Sequence, residues 1–247
     1  MASNLWNDTA SNLCFVKGEE EMTYEELIVK KGGTTPQIIP SASDTALVLI
    51  DMQNLATAEN IVKEAVAAGI DEEEARRLCQ EYHRMERAAT EKAAKLLEAC
   101  REKKIRPVHV KIQSYAGDAS DTGGLHKRLN FLCPPNSWEA EWIPETAPRE
   151  GEVVLVKTCS GAVVGSPIER VLQGMDIKKC YCVGYYTDQC VETTVRDLAD
   201  CGFACELVLD ATATETEKRY NNTIENICNV YCATGYTDQI IEKINKL

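Results

Sequence analysis

The chain has only three histidines in 247 residues and no Cys-x-x-Cys pair. Structural zinc sites are built from four closely spaced cysteine and histidine ligands, so no metal site is expected. No apolar run approaches the roughly 20 residues that a membrane-spanning helix needs. Basic residues are outnumbered by acidic ones, 27 to 39, which gives a formal net charge of −12. That balance argues against nucleic acid and anionic membrane as partners. The opening residues, Met1-Ala2-Ser3-Asn4-Leu5-Trp6-Asn7-Asp8, lack the basic and apolar regions of a secretion signal, so a cytoplasmic location is expected. There is no internal repeat and no Pro/Gly/Ser-rich linker in the middle of the chain. One large α/β domain is therefore favoured over two small ones.

Cysteine, by contrast, is plentiful, with 12 residues. Cys100, Cys180, Cys182 and Cys205 lie inside apolar strand or helix patterns. With no secretion signal, free thiols in a reducing compartment are the simpler account than a disulfide scaffold. Cys228 and Cys232 fall four apart on an expected helix, and Cys180 and Cys182 two apart on an expected strand. Neither spacing makes a zinc set.

Five short apolar runs read as buried parallel strands: 46–50, 107–112, 153–156, 180–183 and 205–209. Helical patterns lie between them. Residues 71–104 are rich in Glu, Ala, Arg, Lys and Leu, with Asp71 as the expected N-cap and Glu74 completing a capping box. A short helix is expected over 167–174 with Ser166 as its cap, another over 190–201 stopped by Gly202, and one or two more over 217–246. Strands alternating with helices imply a doubly wound, mainly parallel sheet flanked by helices, a Rossmann-like three-layer α/β fold. Residues 1–40 stand outside this pattern. Thr23 and Glu26 are placed to cap a short helix, which Gly32-Gly33 and Pro36 would end. This segment is expected to be an arm over the body or over a neighbouring subunit, with 41–247 as the folded domain.

In such a sheet the site lies beyond the carboxyl ends of the strands. The first strand runs into Asp51-Met52-Gln53-Asn54, the third into Lys157-Thr158. The fourth ends in Gly184-Tyr185-Tyr186-Thr187-Asp188-Gln189-Cys190. A cysteine at a strand-to-helix turn places its sulfur near unpaired N–H groups, an environment expected to favour the thiolate. A buried structural cysteine is the plain alternative, as is a capping Asp51 or a solvated Lys157. Taken together, the three supply a carboxylate to accept a thiol proton, an ammonium to balance charge, and a nucleophile. His109 inside a strand, His83 on the long helix and His126 in a polar loop supply no base at these ends.

This constellation resembles the isochorismatase-like cysteine hydrolases over roughly residues 44–245. The resemblance rests on Leu49-Ile50-Asp51-Met52-Gln53-Asn54, on Lys157 followed by Gly165-Ser166-Pro167-Ile168-Glu169, on the segment from Gly184 to Asp197, and on Asp210-Ala211. The separation 190 − 157 = 33 residues matches the family's spacing of lysine and nucleophile. The resemblance implies that Asp51, Lys157 and Cys190 are catalytic. It also implies a non-proline cis peptide between Tyr185 and Tyr186, with the backbone N–H groups of Tyr186 and Cys190 as the oxyanion hole. Gln53, Asn54 and Tyr185 are candidate substrate contacts.

Two departures stand out. The Asp-x-His…His metal cluster of the family's nicotinamidases is missing, which disfavours a metal and nicotinamide and leaves no cofactor expected. Leu55-Ala56 follows Asn54 where many relatives carry Asp-Phe. An aromatic cover would then come from Trp138, Trp142 or the N-terminal arm, although oligomer packing is the plainer role for those tryptophans. The segment 187–197 looks most like the branch acting on biuret, triuret, ureidoacrylate or N-carbamoyl amino acids. The expected activity is a cysteine amidohydrolase acting on a small amide or ureide through a thioester, as a homo-oligomer (dimer or tetramer). The alternatives are a vinyl-ether hydrolase of the isochorismatase type, which needs no thiol, and a non-catalytic interaction protein on the same fold.

Overall fold

The structure, a computed structural model, describes residues 22–23, 26–27, 38 and 40–247. The expected N-terminal arm, 1–40, lies almost wholly outside these residues. Of it, Thr23 and Glu26 are seen to cap each other: the Thr23 N–H donates to Glu26 Oε2 at 2.8 Å and the Glu26 N–H to Thr23 Oγ1 at 3.2 Å.

In chain order the strands are β1 (Thr45–Ile50), β2 (Arg106–Ile112), β3 (Val153–Lys157), β4 (Lys179–Tyr185), β5 (Ala204–Ala213) and β6 (Cys232–Gly235). The helices are α1 (Ala58–Ala67), α2 (Glu72–Leu78), α3 (Gln80–Glu102), α4 (Gly124–Arg128), α5 (Ala162–Gly165), α6 (Ile168–Gly174), α7 (Glu192–Asp200), α8 (Glu217–Ile227) and α9 (Thr237–Asn245). All strand pairs are parallel, in the order β3-β2-β1-β4-β5-β6. The chain therefore moves outward from β1 to β3, then returns to the other side of β1 with β4. The switch in direction lies between β1 and β4, where such sheets open a crevice at their carboxyl ends. β1, β4 and β5 are buried along their whole lengths, as strands covered by helices on both faces must be.

Several expectations change. The pattern over 71–104 forms two helices, broken at Cys79. Asp71 does cap the first, accepting from the N–H groups of Glu73 and Glu74. Ser166 does not cap α6. Its hydroxyl donates back to Ala162 O at 2.8 Å, and the helix begins after Pro167. A sixth strand, β6, replaces the expected helix through Cys228 and Cys232. Cys228 ends α8 and Cys232 begins the strand. The eleven cysteines among the described residues are all free. No described helix is long and apolar enough to cross a membrane.

Candidate active site

Three strand ends deliver the three groups. Asp51 follows β1 with φ +53°, a left-handed conformation that aspartate tolerates better than most residues. Its N–H donates to Val110 O at 2.8 Å, which ties the turn to β2. Lys157 is the last residue of β3, in register with Ile112. Its stem passes Gly165, where a Cβ would lie 2.9 Å from Lys157 Cβ and 2.8 Å from Cys159 Sγ. Glycine at that position lets α5 approach the lysine.

β4 delivers the thiol. At Gly184 φ is +120°, and a Cβ would lie 1.9 Å from Ile50 O. Only glycine lets β4 and β1 close at this point. Thr212 of β5 donates to Gly184 O at 2.8 Å and contacts Thr187 Oγ1 at the same distance. The Tyr185–Tyr186 peptide is cis. A single wide turn, Thr187–Val191, then carries Cys190 ahead of α7, closed by Val191 N–H donating to Tyr186 O. Thr194 fixes the nucleophile's backbone, donating to Cys190 O at 2.6 Å and accepting from Ala162 N–H at 3.1 Å.

The side chains converge. Lys157 Nζ lies 2.8 Å from Asp51 Oδ2 and 3.4 Å from Cys190 Sγ, and donates to Cys159 O at 3.0 Å. Ser160 Oγ donates to Cys190 Sγ at 3.5 Å. All three converging residues are buried, Cys190 being the most exposed at 5%. Among the described residues, no hydrogen bond reaches Asp51 Oδ1. Burial holds the Asp51 carboxyl above the ordinary carboxylate range, against the pull of Lys157. For Lys157 burial acts downward, but the charges of Asp51 and Cys190 outweigh it and hold the ammonium above the ordinary lysine value.

The thiolate expected at this strand-to-helix turn meets an opposing influence. Burial pushes the Cys190 thiol up to about 12, with Lys157 pulling the other way. The wide turn sets Cys190 before α7 rather than on its first residues.

Asp51 and Cys190 border a small pocket, with Lys157 behind them. Leu55, Ala56, Ile112 and Phe131 form its apolar wall, and Tyr185, Tyr186 and Gln189 complete it beside Asp51 and Cys190. The isochorismatase domain model matches residues 45–238, most of the chain and all three strand ends.

The chain belongs to the isochorismatase family.

Among its family relatives, an uncharacterized isochorismatase family protein of Bacillus subtilis, YrdC, is 29% identical over 170 residues, covering 64% of this chain and 84% of the relative. The ureidoacrylate amidohydrolase RutB of Klebsiella pneumoniae is 30% identical over 66 residues, 27% of this chain and 28% of that enzyme. Among solved structures, a cysteine hydrolase from Pseudomonas syringae pv. phaseolicola superposes with a TM-score of 0.69 at 19% identity, over 85% of this chain and 96% of that one. That likeness is one of fold. It agrees with the six-stranded parallel sheet and its flanking helices, and membership of the family makes the chain an isochorismatase-like hydrolase.

Within this isochorismatase fold, the other candidate contacts have protein partners. The Gln53 side chain is engaged on both ends by the protein. Its amide donates to Ile112 O and Glu139 O, each at 2.9 Å, and its carbonyl accepts from Ile112 N–H at 2.7 Å. It stitches β1 to β2, and both of its amide protons are engaged by the protein. Asn54 donates to Trp138 O at 3.0 Å. The Tyr185 hydroxyl points to Glu86 O and Thr90, at 2.9 and 2.6 Å, so only the rest of the residue borders the cavity. Asp210 of the family motif is structural: its Oδ1 accepts from both the N–H and the hydroxyl of Thr237 at the start of α9.

The aromatic cover comes from an unexpected place. Trp138 lies under Lys63 and Trp142 packs on His109 and Lys111. Phe131 borders the cavity instead, with the His126 ring 5.9 Å behind it. His126 is not in a solvated loop but buried on α4, where desolvation and then the charge of Lys157 lower it to about 4. Lys111 lies one residue before Ile112, on the opposite face of β2, and donates to Ala140 O. Ser160, Phe131 and Gln189 were not foreseen. Each sits in a loop or turn whose place at the strand ends depends on tertiary packing. The one local hint for Gln189 is its place next to Cys190.

Proposed function

We propose that this hydrolase is a cysteine amidohydrolase that cleaves a C–N bond of a small amide or ureide, with Asp51, Lys157 and Cys190 as its catalytic residues. The observation that carries the reading is Lys157 Nζ held between Asp51 Oδ2 and Cys190 Sγ, at 2.8 and 3.4 Å, beside a pocket lined by Asp51 and Cys190. The similarity of one segment to an enzyme named as an ureidoacrylate amidohydrolase supports the same chemistry.

Ionised Asp51 accepts the Cys190 proton as sulfur bonds to the substrate carbonyl carbon. Its raised pKa makes it a stronger base than an ordinary carboxylate. Lys157 remains charged and stabilises the developing thiolate in a buried site. The carbonyl oxygen becomes an oxyanion held by the backbone N–H groups of Tyr186 and Cys190. Asp51 returns its proton to the departing nitrogen as the C–N bond breaks, leaving a thioester. Water, deprotonated by Asp51, adds to the thioester carbonyl. The thiolate leaves and regains a proton, and the products are a carboxylic or carbamic acid and ammonia or an amine. Biuret, triuret, ureidoacrylate, N-carbamoyl amino acids and simple amides assayed for ammonia release test the proposal. Turnover of at least one, abolished in Cys190→Ala, is expected. No turnover of any, or full activity of the alanine variant, contradicts it.

A further inference from the structure

We infer that the cavity selects an uncharged amide or ureide over a carboxylate-bearing one, with Gln189 as the side chain that reads it. This inference rests on the amidohydrolase reading and narrows its substrate class. A carboxylate taken from water into such a pocket needs a cation or several N–H donors to replace its hydration. Among the described residues, no lysine or arginine lines this cavity.

Several cations on neighbouring elements are engaged elsewhere. Lys63 pairs with Glu139. Lys111 donates to Ala140 O behind the sheet. Arg219 bridges Asp188 and Glu215 at 2.5 and 2.8 Å. Lys157 has three partners in Asp51, Cys190 and Cys159 O.

The charge at the wall itself is not positive. The Asp51 carboxylate lines the cavity, and its partner Lys157 does not. Beside that carboxylate stands one uncommitted polar side chain. Gln189 is half-buried, lines the cavity, and its side-chain amide makes no hydrogen bond with the described residues. A carboxamide offers two donors and an acceptor, which match the C=O and N–H of a second amide or urea group.

Two matched pairs test this on the intact chain. The first is N-carbamoylglycinamide against N-carbamoylglycine, which differ only in carboxamide and carboxylate. We expect kcat/KM for the amide to be higher by about tenfold or more, the scale set by one poorly matched polar group in a site. Gln189→Leu should raise KM for the amide more than it lowers kcat, and Gln189→Arg should shift preference toward the carboxylate. The second pair is iodoacetamide against iodoacetate, with alkylation of Cys190 followed by peptide mapping. The rate ratio should exceed the ratio measured on glutathione by about tenfold, because the free thiol lacks the carboxylate at the cavity wall. Equal or better use of the carboxylate substrate overturns the inference, as does an alkylation ratio no larger than that of glutathione. If neither carbamoyl compound is turned over, the amidohydrolase reading loses support, and the alkylation ratio still decides the question of charge.

Discussion

Removing the Asp51–Lys157 pair one partner at a time should be far more damaging than removing both. The two groups meet at 2.8 Å with side chains 2% and 0% exposed. Lys157→Met leaves a buried carboxylate without its cation, and Asp51→Asn leaves a buried ammonium with only neutral partners. Each single change should destabilise the fold by about 3–5 kcal/mol, the usual penalty for an uncompensated buried charge. The double variant Asp51→Asn/Lys157→Met buries no charge, and replacing a whole buried pair is commonly neutral or stabilising by about 1–4 kcal/mol. Two penalties of about 3 kcal/mol or more each then vanish together, so the coupling should reach about 6 kcal/mol or more.

The Arg77–Glu74 pair provides the control. It is closer, 2.6 Å, but its side chains are 64% and 48% exposed, and the same cycle there should give no resolvable coupling. Distance is similar in the two pairs, so burial decides. Urea unfolding of the four chains of each cycle measures the coupling. Additivity within about 0.5 kcal/mol at Asp51 and Lys157 would refute the reasoning.

Other outcomes follow from the same site. Gly184→Ala forces a Cβ to 1.9 Å from Ile50 O at φ +120° and should destabilise by about 3 kcal/mol or more, whereas Gly174→Ala, with nothing within 4 Å, should be mild by thermal or urea unfolding. Because Asp51 must be ionised to accept a proton and its pKa is raised, activity should fall as pH drops through a value above the ordinary aspartate range. Lys157 is held above the ordinary lysine value, so no alkaline loss from its deprotonation should occur below that value; a pH–rate profile checks both limbs. Alkylation of Cys190, raised to about 12, should keep climbing with pH beyond the plateau of a free thiol, and Lys157→Met should move the curve further up. Superimposable curves for the two chains would separate Lys157 from the sulfur.

The parts legible in the sequence were those fixed by short-range pattern. Buried parallel strands announce themselves as unbroken apolar runs, and strand ends in an α/β sheet share one edge. Asp51, Lys157 and Cys190 could therefore be brought together before any coordinates. β6 escaped because its four residues, Cys232–Gly235, carry no β-branched run and only their two ends are buried. The break at Cys79 escaped because helix propensity is high on both sides of it, and α2 is short with a single buried residue. Gln53 illustrates a different limit. Its position beside Asp51 suggested a ligand contact, but its partners, Ile112 and Glu139, lie 59 and 86 residues away. The burial of Cys190 was illegible for a similar reason: Leu55, Ile112 and Phe131, which line the same pocket, are distant in sequence.

The central claim is that Cys190 carries the acyl group. Rapid acid quenching of the chain during turnover of an amide substrate, followed by peptide mass mapping, tests it most directly. The account predicts a mass increase equal to the acyl fragment on the peptide bearing Cys190, lost on treatment with hydroxylamine and missing from Cys190→Ala, which should be inactive. An adduct on another cysteine, or turnover by Cys190→Ala at the wild-type rate, would contradict it.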